Sequence, residues 1–126
     1  MDRKYVLTGL GYALFGLLLG IHMAATKNHG QLVTHAHIML LGFVVSMIYA
    51  MIHKLWLTEG NSKLAIAQCW LHQAGTAVLI IGLYCLYGGI AGDDALAPVL
   101  GISSIVVLIS LILMKVMYIK SSKSAE

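Results

Sequence analysis

Charge is what this sequence has least of. Of its 126 residues only 10% are Asp, Glu, Lys or Arg, where a water-facing domain carries about 25%. That shortage excludes an ordinary soluble surface. Cysteine is almost missing as well. Cys69 and Cys85 would sit about 24 Å apart on one helix, which excludes a bond between them. With no CxxC pair, both read as small buried apolar residues. The single proline, Pro98, leaves long stretches unbroken and falls near the start of one of them, where a missing N–H does little harm. There is no basic patch either: the net charge of +3 comes from residues scattered at segment ends, so nucleic acid is not the partner.

What is present is hydrophobic. The apolar share is 60%, the mean hydropathy is +0.88, and the apolar residues gather in four runs at about 5–26, 32–53, 64–88 and 95–117. Each reaches the ~18–20 residues that a helix needs to cross a bilayer. The first is too long and too rich in glycine for a cleavable signal peptide. The connections near 27–32, 54–63 and 88–95 are short, which forces neighbouring helices to run antiparallel. The expected fold is all-α: one four-helix transmembrane bundle over 1–126, up-down-up-down, with the lipid bilayer as its surroundings. The tail from Lys120 reads as a short frayed end.

Basic residues set the orientation. Arg3, Lys4, Lys54, Lys63, Lys115, Lys120 and Lys123 fall on one side and Lys27 on the other, so both termini are expected in the cytoplasm. Asp93 and Asp94 are then external. Tyr5, Trp56, Trp70 and Tyr118 read as markers of the inner interface, Tyr84 and Tyr87 of the outer. In the first span Gly16 and Gly20 make a GxxxG, which lets two helix backbones approach, either inside one bundle or between two copies.

Ionisable groups in a bilayer are costly and default to function. Here the spans hold no acid or base in their interiors, but the chain has six histidines. His22, His35 and His37 share a depth near the outer surface, and His29 lies in the outer loop. His53 closes the second span at its inner end, and His72 lies about two turns into the third. Imidazole is the commonest ligand for metals and haem iron. At i and i+2 on a helix, His35 and His37 point about 200° apart. They cannot grip one ion, but each can serve a different site. On a helical wheel the His35 face continues through Gly42, Ser46, Tyr49 and His53, and the third span has a matching stripe of Gln68, Cys69, His72, Gly75 and Thr76. For His53 and His72 an interfacial or helix-capping role stands beside a functional one. The methionines read as packing.

The run Val33-Thr-His-Ala-His-Ile-Met-Leu-Leu-Gly-Phe-Val-Val-Ser-Met-Ile-Tyr-Ala-Met-Ile52 resembles a ligand helix of haem–copper oxidase subunit I, whose His-x-His binds two haems from opposite faces. That subunit is built of three arcs of four helices with ligands on the second helix of each, and this chain looks like one arc. It is similar to the short prokaryotic membrane proteins of the subunit I-like kind, in which a stretch like Trp70-Leu-His72 recurs. The resemblance implies a prokaryotic plasma membrane protein carrying haem b. His37 would be an iron ligand, His35 would face a second haem or metal, and His72 and His22 are further candidates for the cofactor site. One arc lacks the histidine cluster for copper, the cross-linked tyrosine and the proton-channel acids, so no catalytic residue is assigned.

Three readings stand at this point. The first is a membrane-embedded b-type haem protein for electron transfer or haem-based sensing, working with an unknown redox partner as a homo-oligomer (a trimer by analogy with three arcs, a dimer as the alternative). The second is transport of a metal ion or protons along the His35–His53 stripe. The third is an interaction protein that assists oxidase assembly without a cofactor.

Overall fold

A computed structural model of the chain describes residues 1–57 and 62–125, with side chains through Ser121. It is all-α. The helices are α1 (Asp2–Thr26), α2 (Leu32–Leu55), α3 (Lys63–Tyr87) and α4 (Asp93–Ala125). All four are long and apolar enough to cross a membrane, so this is a multi-pass membrane protein. Part of the expected connection 54–63, at residues 58–61, lies outside the described residues. The stretch from Lys120 continues α4 as helix rather than fraying.

Local chemistry sets the helix ends. Lys27 closes α1 in the left-handed region at φ 56°, returning its N–H to the Met23 carbonyl. Asn28 Oδ1 then accepts the Gly30 N–H at 3.0 Å, which ties the short turn into α2. Ser62 caps α3, its Oγ accepting the Ala65 N–H at 3.1 Å. Because α4 starts at Asp93, ahead of the apolar run, Pro98 falls in its second turn. There the Asp94 carbonyl loses an intrahelical donor.

α1 packs along α2, α3 packs along α4, and α2 meets α3 between these two hairpins. Both hairpins depend on missing side chains. A Cβ on Gly16 would run into Met39 and come within 3.0 Å of Ile38, Gly20 receives the ring of His35, and Gly42 receives the ring of Tyr12. The GxxxG of α1 is therefore used inside the bundle. Between α3 and α4, a Cβ on Gly75 would lie 2.9 Å from Val107, and one on Gly82 would lie 2.8 Å from Leu100. Lipid tails are as apolar as leucine, so close backbone packing of this kind holds membrane helices together. The outward faces are apolar throughout: Phe15 and Trp70 are each 70% exposed, with Leu14, Leu18, Ile21 and Ile102 close behind.

One feature of α2 departs from the regular wheel. From Ile38 to Val45 the helix is π-helical, bonding five residues back rather than four and so turning less per residue. Its buried positions follow a four-residue step, Thr34, Ile38, Gly42 and Ser46, before Tyr49 and His53. A regular α-helix would drift about 40° at each such step. The looser winding cancels that drift, and in doing so it puts Thr34 on the inner face where the wheel had put His35.

Candidate functional site

The histidines divide between two places. At the end of the bundle away from the termini, His35 and His37 lie in the first turns of α2, half-buried. The Nδ1–H of His35 donates to the Gly16 carbonyl of α1 at 2.8 Å. That of His37 donates to the Val33 carbonyl one turn back, at 2.9 Å. A carbonyl can only accept, so Nδ1 carries the proton in both rings and Nε2 is the lone-pair nitrogen. A Cβ on Gly20 would lie 3.2 Å from His35 Cε1, so that ring rests against α1. His22 and His29 are exposed nearby.

The second place lies deeper, towards the end that holds both termini. His72 of α3 is fully buried. Its Nε2 is 3.0 Å from Ser46 Oγ of α2, and the Tyr49 ring stands edge-on to it at 5.0 Å between centroids. Tyr5 of α1 lies 5.8 Å away on the same ring and stacks on His53 at 5.7 Å. The Tyr5 hydroxyl donates to Gln68 Oε1. Gln68 Nε2 in turn donates to Ser110 Oγ of α4 at 3.0 Å, and Ser110 returns a bond of 3.2 Å to the Gln68 main-chain carbonyl. All four helices thus contribute to one buried polar cluster, with Cys69, Met114 and Met117 packed around it.

This placement separates the expected site residues. His35 and His37 share a level, facing different ways, while His72 pairs with Ser46, roughly 15 Å further along α2. His72 joins His53 through Tyr5 instead. Both are buried in the bundle, not spread along an interface. Tyr5 also departs from its expected place at the inner interface, because its ring turns between α2 and α3 and is fully buried. Sequence reasoning missed two partners, Tyr5 and Ser110. Their signals were the Tyr5–Gly9–Gly16–Met23 seam of α1 and the Ser103–Ser110–Met117 seam of α4, each at near-heptad spacing.

The donor sets differ in what they suit. A ring whose Nδ1–H is tied to a carbonyl presents Nε2 in a fixed direction, which is how metal-bound imidazoles are commonly held. His35 and His37 fit a haem or metal ligand on that ground. His72 does not, since Ser46 occupies its Nε2 and Tyr49 and Tyr5 close over the ring. Among the described residues no three His, Cys, Asp or Glu side chains group to hold a metal ion. No family model, curated protein or solved structure matches this chain.

Proposed function

We propose that this chain is a membrane-embedded b-type haem protein of the prokaryotic plasma membrane, with His37 as an axial ligand and a second copy supplying the opposite one. One observation carries the reading. The two histidines of the His-x-His each have Nδ1–H anchored on a backbone carbonyl and Nε2 left as the lone-pair nitrogen. Haem bound there would supply one-electron chemistry at its iron. The chain's own contribution is to aim the imidazole, fix its tautomer, and keep the site in apolar surroundings that shape the potential. His35, tied to α1, serves a second haem or metal on the other side of α2. With the seven-to-one basic bias, the termini face the cytoplasm and this site lies near the outer surface.

The test is the visible spectrum of the protein purified from cells supplied with haem, with the haem-to-protein ratio. Sharp reduced bands of a bis-imidazole haem, lost in His37→Ala, are the expected result. A colourless protein that takes up no added haem would overturn the proposal.

A further inference from the structure

The polar cluster around His72 has a shape of its own, independent of any haem at His37. Followed from the terminal end, buried polar groups run without a break: His53, Tyr5, Gln68, Ser110, Tyr49, Ser46, His72 and Thr76. The mouth is polar too, with His53 within electrostatic reach of the Met1 α-amino group and Asp2, which lie 3.9 Å apart. Thr76 stands about 20 Å from the start of α3, at about the middle of that 25-residue helix. Beyond it the interior changes abruptly. Ile38, Leu79, Leu83 and Leu96 fill the core, the buried hydroxyl among them, Ser103, being spent on the Leu100 carbonyl of its own helix, and at the far end Thr34 and Gln31 restore polarity.

Three buried atoms in this column have no protein partner: His53 Nε2, His72 Nδ1 and Thr76 Oγ1. An orphaned buried polar group is costly, and in a membrane interior the usual remedy is a partner helix or a trapped water. Here the partner helices already surround the site. His72 and Thr76 are one turn apart on the same face of α3, so the two orphans lie at neighbouring levels of the column. His53 marks where such water enters. The groups set against His72 are Tyr5 from α1 and Tyr49 and Ser46 from α2, with Gln68 and Ser110 joined to Tyr5 in the same network. None is a carboxylate or an amine. In the tautomer that donates Nε2–H to Ser46, Nδ1 holds the lone pair and can take a proton from water.

We propose that the column is a hydrated half-channel: water from the terminal side reaches His72 and exchanges protons with its Nδ1, while Ile38, Leu79 and Leu83 seal it from the opposite side. The step is a proton transfer alone, hydronium giving its proton to imidazole and the imidazolium returning it by the same path.

The test measures proton flux into phosphatidylcholine–phosphatidylglycerol vesicles holding the purified full chain, driven by a potassium diffusion potential and read by a trapped pH dye. Wild-type vesicles should match protein-free ones. Leu79→Ser and, separately, Leu83→Ser should raise the flux about tenfold, a barrier change of about 1.4 kcal/mol. Adding His72→Phe to Leu79→Ser should return it to the baseline. A conducting wild type overturns the seal. Tight vesicles from both serine variants overturn the hydrated column, and a double variant as leaky as Leu79→Ser removes His72 from the route. Water-edited solid-state NMR on nitrogen-15-labelled histidine in the wild type decides the matter even where a plug variant misfolds. Rapid magnetisation transfer from water to the His72 ring is expected, and a ring as dry as the flanking leucines would overturn the proposal. Neither readout depends on haem, so the two proposals fail separately.

Discussion

Replacing Gln68 by leucine tests what the buried cluster contributes. The amide accepts from the Tyr5 hydroxyl and donates to Ser110 Oγ. Leucine removes both bonds, but Ser110 keeps its 3.2 Å bond to the main-chain carbonyl of residue 68, which the substitution leaves in place. The group left short is therefore the fully buried Tyr5 hydroxyl, with only the weakly hydrogen-bonding Cys69 thiol beside it. An orphaned donor costs about 1–3 kcal/mol in proteins generally. Hydrogen bonds between membrane helices couple by about 0.6 kcal/mol on average and about 1.7 at most. Gln68→Leu should thus destabilise the bundle by about 1–2 kcal/mol. Tyr5→Phe removes the orphan, so the double variant should be less destabilised than the sum of the singles, by about 1 kcal/mol. The assay is reversible unfolding by dodecyl sulfate in mixed micelles, followed by helical circular dichroism, on the wild type and the three variants. Simple additivity would refute the reasoning, because it would mean that the two side chains do not depend on each other.

Other consequences follow from the same geometry. In a cysteine-free background, an impermeant maleimide added to whole cells should label Asp93→Cys and reach Ser62→Cys only after lysis; the reverse pattern would invert the proposed orientation. His37→Ala should lose most bound haem, and His35→Ala should lose it or change its spin state. His29→Ala should be nearly silent, since that residue lies exposed in the turn between α1 and α2, and an unchanged His37→Ala spectrum would sink the ligand assignment. Gly16→Leu should cost about 1–3 kcal/mol through overpacking against Met39 and Ile38, with no change of oligomeric state in native mass spectrometry. A changed assembly at unchanged stability would place that face between copies instead.

The number and nature of the helices were legible because bilayer thickness imposes a length and an apolar composition that few other environments require. The polar stripe of α3 was legible for a related reason: an uncharged span that spends Gln68, His72 and Thr76 on one face has to point them at protein. Tyr5 was not, because a tyrosine near a span end has two good homes, the headgroup layer and the core. Only the direction of the helix chooses between them. Ser110 was hidden because α4 carries several serines, Ser103 and Ser104 among them, and the partner that singles this one out sits on a different span. The inward turn of the GxxxG face was undecidable from spacing alone, since the same glycines serve contacts within and between molecules.

The π-helical segment of α2 is where the two sites come to depend on each other. A wheel drawn at constant pitch put His35, Ser46 and His53 on one face, which would have made the outer histidine the top of the polar column. Eight residues wound more loosely, Ile38–Val45, break that continuity. They keep Ser46, Tyr49 and His53 facing α3 while His35 turns towards α1, where Gly16 holds it. The apolar side chains of the same segment, Ile38 among them, also supply the layer that ends the column. The winding that turns His35 against α1 is thus also the winding that lays Ile38 across the end of the polar cluster, and a change of pitch there would disturb both at once.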